Sequence, residues 1–166
     1  SHSQTRPVEL TLGAQHYHSA KPHRTLRHVA TMVEQNNNMT IGEAELEFMV
    51  NGTPRSKRFN DTYFNTEGGL AESRRVFLDG SGLPSAWADH NTFTIGETGF
   101  GTGLNFLATW HAWRTSESKP HHLNYLAVEG FPLSRDELEV CHTHYPELFP
   151  YTEELLRTYP TPHPGY

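Results

Sequence analysis

One stretch restricts the fold more than any other: "ETGFGTGLNFL" at residues 97–107. Before it runs "NTFTIG", rich in β-branched and aromatic residues, the composition of a strand. After it, "LNFLATWHAW" sets Phe106, Trp110 and Trp113 at i, i+4 and i+7, one bulky face of a helix. "LNYLAVEG" (123–130) follows as a second strand with a nearly continuous apolar centre, the pattern of a parallel strand buried on both faces. Strand, glycine turn, helix, strand is a βαβ unit and predicts a parallel sheet.

Glycine at Gly99, Gly101 and Gly103 lets the chain bend sharply and lets a ligand approach the backbone. A helix starting at Leu104 aims its free N–H groups at the same place. In such units ligands bind beyond the carboxyl ends of the strands. The dinucleotide fingerprint G-x-G-x-x-G wants its third glycine where this chain has Leu104. E-x-G-x-G-x-G suits a nucleoside without a pyrophosphate, and S-adenosylmethionine is the candidate. Glu97 then faces its cationic amino-acid end. Glu129, at the end of the second strand, is placed to accept the ribose hydroxyls. A glycine-rich structural turn beside an exposed strand-end acid accounts for the same letters without any ligand.

The rest of the chain frames this unit. Residues 1–40 lack sustained periodicity and read as a disordered or appended leader, with at most a short helix over 26–34. Residues 41–90 read as a hairpin and a helix. Leu46, Phe48 and Val50 alternate on one strand, "NGTP" (51–54) makes the turn, and 57–65 returns. The helix over 68–80 presents Leu70, Arg74 and Phe77 and stops at Gly80. Residues 91–166 hold the βαβ core. Within them Ser134 and Glu137 form a capping box ahead of a helix carrying Leu138 and Cys141, and short helical pieces follow at 146–149 and 152–159.

Four blocks, "NDTYFNTEGGLAESRRVFLDG", "ETGFGTGLNFLATWHAW", "AVEGFPLSRDELEVCHTHYPEL" and "YPTPHPGY", stand in order along the chain. Together they resemble the N-terminal methyltransferase domain of the bacterial bifunctional tRNA 5-methylaminomethyl-2-thiouridine biosynthesis proteins, from about Ala44 to Tyr166. The resemblance implies an α/β, Rossmann-like class I methyltransferase, here incomplete and preceded by a β-hairpin. It implies methyl transfer from S-adenosylmethionine to the aminomethyl nitrogen of a wobble uridine in tRNA; separately, the lack of an 18-residue apolar run and of a signal-peptide stretch makes the cytoplasm the default expectation. It maps the cofactor site onto Glu97, Gly99, Gly101, Gly103, Asn105, Glu129 and Phe131, with Phe131 against the adenine. Asp61, Tyr63 and Phe64 match an upstream block that walls the pocket. The family's catalytic acid and its FAD-dependent oxidase domain are expected beyond Tyr166, so no catalytic residue is assigned within this chain. The alternatives are the nucleotide-binding domain of an NAD- or FAD-dependent oxidoreductase, or a non-catalytic remnant.

Composition narrows the remaining choices. The formal net charge of −6 excludes a uniformly basic nucleic-acid coat, leaving a local cluster at Arg55, Lys57, Arg58, Arg74 and Arg75. Cys141 is the only cysteine, so no internal disulfide exists. Cys141, His142 and His144 diverge on a helix and do not converge as metal ligands, and Cys141 reads as a small core residue. His16 and His18 are a chance chelating pair. Trp110 and Trp113 read as core, and His121 and His122 as solvated.

Overall fold

The computed structural model describes residues 9–13 and 44–159. The expected short helix at 26–34, the pair His16 and His18, and the closing "PTPHPGY" lie outside the described residues.

The βαβ unit is present. Strand β5 (Thr92–Thr98) leads through the glycine turn into a helix, Leu104–Thr115, which returns to strand β6 (His122–Val128). β5 and β6 pair in parallel, Thr92 opposite His122 and Thr98 opposite Val128. A third parallel strand, β1 (Glu9–Gly13), pairs with the other edge of β6, giving the order β1-β6-β5. These five residues fall inside the stretch read as a leader. A strand this short carries too little periodicity to stand out beside a polar neighbourhood.

The expected two-sided burial of β6 is not what the structure has. Leu123, Tyr125 and Ala127 are buried, whereas Leu126 is 47% exposed. Among the described residues, helices cover one face only. The opposite face shows Thr94, Gly96 and Thr98 of β5, which are exposed. An apolar run therefore marked a parallel strand correctly but overstated how many faces it buries.

Residues 44–65 form a three-stranded antiparallel meander, β2 (Leu46–Phe48), β3 (Pro54–Ser56) and β4 (Asp61–Thr62), rather than one hairpin with a long return strand. The first turn is shifted by a residue from the expected Asn-Gly pair. Gly52 N–H donates to the Met49 carbonyl at 2.8 Å, and only Gly52 takes a positive φ, +81°. Asn51 instead uses its side chain, whose Oδ1 accepts from Thr53 N–H at 3.1 Å. Val50 is thereby put on the turn and fully exposed.

The helix expected over 68–80 changes pitch. Helix α1 (Gly69–Glu72) widens into a π-helical segment at Ser73–Leu78 and tightens to a 3₁₀ turn at Asp79–Ser81. The wider turn rotates the buried face onto Leu70, Ser73 and Leu78 and leaves Arg74 exposed. The stop moves with it, from Gly80 to Gly82, which adopts the left-handed conformation at φ +70°.

Helix α2 (Leu104–Thr115) is the centre of the core. Phe106, Leu107, Ala108 and Trp113 are buried against Tyr125 and Leu123 of the sheet. The Trp113 indole N–H donates to the Pro120 carbonyl at 3.0 Å. Trp110 is partly buried, with Phe106 and Tyr151 rings each at 5.5 Å. Helix α3 (Arg135–His142) opens on the expected capping box. Ser134 Oγ accepts from Glu137 N–H at 3.3 Å, and the Glu137 carboxylate accepts from Ser134 N–H at 2.7 Å. Ser134→Ala should cost about 1 kcal/mol in urea unfolding; no change would show the cap to be dispensable. The two pieces expected at 146–149 and 152–159 are a 3₁₀ turn, Pro146–Leu148, running directly into α4 (Phe149–Thr158).

Candidate functional site

A cleft of about 790 Å³ opens at the carboxyl ends of β5 and β6. Its lining includes nine of the ten residues that the sequence marks out: Glu97, Gly99, Gly101, Asn105, Glu129, Phe131, Asp61, Tyr63 and Phe64. Gly103 stands behind the lining, where it turns the chain over the ring of Phe100.

The cradle is built on three left-handed glycines, Gly99 at φ +85°, Gly101 at +53° and Gly103 at +72°. They serve different purposes. A Cβ on Gly103 meets Phe100 Cζ at 2.6 Å, so this glycine exists for close packing. A Cβ on Gly101 meets the Tyr63 ring at 3.3 Å, so Tyr63 closes one side of the turn. A Cβ on Gly99 meets nothing within 4 Å, which leaves open space beside its backbone. Gly99 N–H donates to the Val128 carbonyl at 2.7 Å and ties the turn to the end of β6. Among the described residues, no side chain caps the first turn of α2.

Glu129 is locked in place by the backbone. Its Oε2 accepts from Gly101 N–H at 2.8 Å and its Oε1 from Phe131 N–H at 2.9 Å. A carboxylate has about four lone-pair sites, so each oxygen keeps one free for a further donor. Phe131 lies with the Arg58 guanidinium 4.2 Å from its ring centroid on one face and Phe59 edge-on at 5.3 Å.

Glu97 is buried at the floor. Its Oε1 accepts from the Asn105 amide at 2.8 Å and its Oε2 from the Tyr125 hydroxyl at 2.8 Å. Asn105 is held in turn by the Ser73 hydroxyl, which donates to its Oδ1 at 2.5 Å. Burial pushes the Glu97 carboxyl up to about 7, against the opposing pull of the Asn105 and Tyr125 hydrogen bonds, and the charge of Glu129 adds to the rise. Burial, with the Glu97 charge beside it, also raises the Tyr125 phenol, which stays a donor.

The shift has a stability consequence. The folded carboxyl holds its proton above the unfolded value of 4.5, so its contribution is complete below about pH 4.5 and gone once pH passes about 7. Wild type should therefore lose on the order of 1–3 kcal/mol relative to Glu97→Gln between pH 5 and pH 8, read from urea midpoints. Parallel pH profiles for the two proteins would contradict this.

Tyr125 and Ser73 are parts of the site that sequence reasoning missed. A signal for Tyr125 was available: a tyrosine at the centre of a buried strand needs a partner for its hydroxyl. Ser73 lies three residues after Leu70 on the same helical side, but a lone serine there carries no signal of its partner Asn105. His142 is buried on α3, and its Nε2 lies 2.8 Å from the Thr102 carbonyl, so it braces the glycine turn from behind. Cys141 is in the core as expected, its thiol pushed up to about 12 chiefly by burial. His121 and His122 are exposed.

Fold and cleft thus define a mixed α/β unit with a parallel sheet, an antiparallel meander and a glycine-cradled cleft holding two fixed carboxylates. No family model matches the chain. It is 46% identical over 127 residues to the tRNA 5-methylaminomethyl-2-thiouridine biosynthesis bifunctional protein MnmC of Aromatoleum aromaticum, covering 76% of this chain and 20% of that protein. The same-named protein of Thiobacillus denitrificans is 45% identical over 127 residues with the same coverage. That of Ralstonia nicotianae is 47% identical over 114 residues, covering 69% of this chain and 17% of that protein. Among solved structures, MnmC2 from Aquifex aeolicus aligns with a TM-score of 0.46 at 20% identity, over 75% of this chain and 41% of that one. Over about three quarters of its length the chain is a homologue of the MnmC proteins, and it spans about a fifth of theirs.

Proposed function

We propose that this chain is the cofactor-binding part of a Rossmann-like class I methyltransferase. In this reading its site takes S-adenosylmethionine and serves methylation of the aminomethyl nitrogen of a wobble uridine in tRNA. Residues 41–90 form its entry wall, and residues 91–166 its first βαβ unit. The observation that carries this is the pairing of two fixed carboxylates across one glycine turn. Glu129 holds its remaining lone pairs available beside Gly101, and Glu97 lies buried beneath. This suits a ligand with a diol at one end and a cation at the other. The names of the homologues, which are tRNA-modification proteins, point the same way.

When bound, S-adenosylmethionine supplies a methyl group activated by its sulfonium. The chain's own residues hold and orient. Glu129 accepts from the ribose hydroxyls. Gly99 gives the ligand room at the backbone. Glu97, with its proton poised near neutrality, gives up that proton when an ammonium group arrives, because a nearby cation favours the ionised carboxylate. The Tyr125, Asn105 and Ser73 hydrogen bonds keep it oriented while it does so. Phe131 offers an apolar wall for the base. Both carboxylates are committed to the cofactor, so none is assigned to deprotonate the substrate amine. Catalysis of such a displacement rests largely on positioning. In the longer homologues the word "bifunctional" agrees with a second, FAD-dependent oxidase activity carried elsewhere.

Leu104 speaks against a dinucleotide, since close helix–strand packing over a pyrophosphate wants glycine there. Thermal unfolding separates the readings. S-adenosylhomocysteine at about 100 times its dissociation constant should raise Tm by ~5–10 °C, and NAD should leave it unchanged. Stabilisation by NAD alone would replace this reading with the oxidoreductase one. No response to any of S-adenosylhomocysteine, NAD or FAD would leave the non-catalytic remnant.

A further inference from the structure

The meander carries a feature that cofactor binding does not use. At the turn between β3 and β4, Phe59 is 60% exposed although it lines the cleft. An exposed phenyl ring at a cleft mouth is set there against the hydrophobic effect, and it is not loose. Its edge packs on Phe131 at 5.3 Å, its own N–H donates to Ser56 Oγ at 3.3 Å, and Asn60 beside it is fixed at φ +54°. Lys57 and Arg58 precede it, both exposed, and neither forms a salt bridge among the described residues. Arg55, by contrast, pairs with Glu47 at 3.2 Å. On the π-helical segment Val76 repeats the arrangement: it lines the cleft, is 61% exposed, and follows Arg74 and Arg75. The interior is acidic, with Asp61, Glu72, Glu97 and Glu129 in the lining. These carboxylates, Asp61 and Glu72 exposed and Glu97 buried, repel a phosphate and favour a polyanion at the rim over the cleft itself.

We propose that the Lys57–Arg58–Phe59 tip is a docking platform for the RNA substrate, on which an unpaired base stacks against Phe59 while Lys57 and Arg58 meet the adjoining phosphates. The platform rests on the tRNA-modification reading above and names the surface that receives the strand. Unpaired bases stack on aromatic side chains, while cations supply sequence-independent affinity for the backbone. Arg58 also lies on Phe131, whose N–H is bonded to Glu129, so the platform adjoins the cofactor wall directly. In a protein of net charge −6 this cationic, aromatic tip is a place where a phosphate backbone meets favourable charge beside the cleft.

The test is fluorescence anisotropy of a labelled anticodon stem-loop RNA with the whole chain, across a salt series. Phe59→Ala should weaken binding by about 10-fold, and Phe59→Trp should hold it within about 2-fold of wild type. Arg58→Gln should lower the slope of log affinity against log salt by about one. Phe59 is exposed, and circular dichroism melts verify that the variants remain folded. RNA affinity indifferent to Phe59→Ala, or no RNA binding by wild type, overturns the platform. An Arg58→Gln salt slope equal to wild type removes Arg58 from it. The S-adenosylhomocysteine melt, run alongside on wild type, reports the cofactor reading separately. A Tm shift with Phe59-indifferent RNA affinity sinks the platform alone, whereas no shift sinks the cofactor reading whatever the RNA does.

Discussion

Glu129→Ala should weaken S-adenosylhomocysteine binding by at least about 100-fold in isothermal titration. Hydrogen bonds to a charged acceptor contribute roughly 1.5–3 kcal/mol each, and the proposal gives this carboxylate both ribose hydroxyls. The same substitution strips the acceptor from Gly101 N–H and Phe131 N–H, at present bonded at 2.8 and 2.9 Å, so the turn and the cofactor wall lose their common anchor. Glu129→Gln separates these effects. Its amide oxygen still accepts one backbone N–H, but the charge is gone and the NH₂ end cannot accept. An intermediate loss of ~10-fold is expected. Affinity within about threefold of wild type for Glu129→Ala would mean that the sugar is held elsewhere.

The second large effect is on stability. Gly103→Ala should cost about 2–5 kcal/mol, a large part of the roughly 5–15 kcal/mol that holds an ordinary domain folded. Two causes add. At φ +72° an alanine pays about 1–2 kcal/mol for the left-handed backbone. Its Cβ also lands 2.6 Å from Phe100 Cζ and 2.9 Å from Cε1, on a ring that is itself buried. Phe100 cannot simply move aside, because Phe106 and Tyr159 lie at centroid distances of 6.1 and 6.2 Å, and overpacking a core costs ~1–3 kcal/mol. Gly99→Ala is the internal control. It has the same backbone strain at φ +85° but open space for the methyl, so only about 1–2 kcal/mol is expected. Equal urea midpoints for the two variants would refute the packing argument.

These two glycines show how far the letters could be read. The spacing announced a bend and a ligand-sized opening, and the structure has both. It did not say that Gly99 faces open space while Gly103 faces a phenyl ring, because that division depends on where Phe100 turns. Glu129 was legible as a strand-end acid. Its two backbone donors were not, since they arise from the parallel register and from the way the turn folds back. Local signals with local causes, such as the Ser134–Glu137 capping box, came through intact.

Features set by a change of pitch or by distant chain did not. The π-helical widening at Ser73–Leu78 breaks the 3.6-residue period, so Arg74 read as part of a face on which it does not lie. It also moved the stop from Gly80 to Gly82. β6 read as buried on both sides because Leu126 sits among apolar neighbours, yet covering the second face requires a layer that the described residues do not supply. β1 pairs with β6 from more than a hundred residues away in sequence, and five residues carry no period strong enough to reveal that.

In the proposed function one cleft grips a sulfonium nucleoside by its sugar and its amino-acid end. A crystal structure of the chain with S-adenosylhomocysteine tests it most directly. The ribose oxygens should lie within hydrogen-bond distance of the Glu129 carboxylate, with the ligand's backbone-facing side against Gly99 and its ammonium group toward Glu97. A ligand bound outside this cleft, or one whose ribose leaves Glu129 untouched, would contradict it.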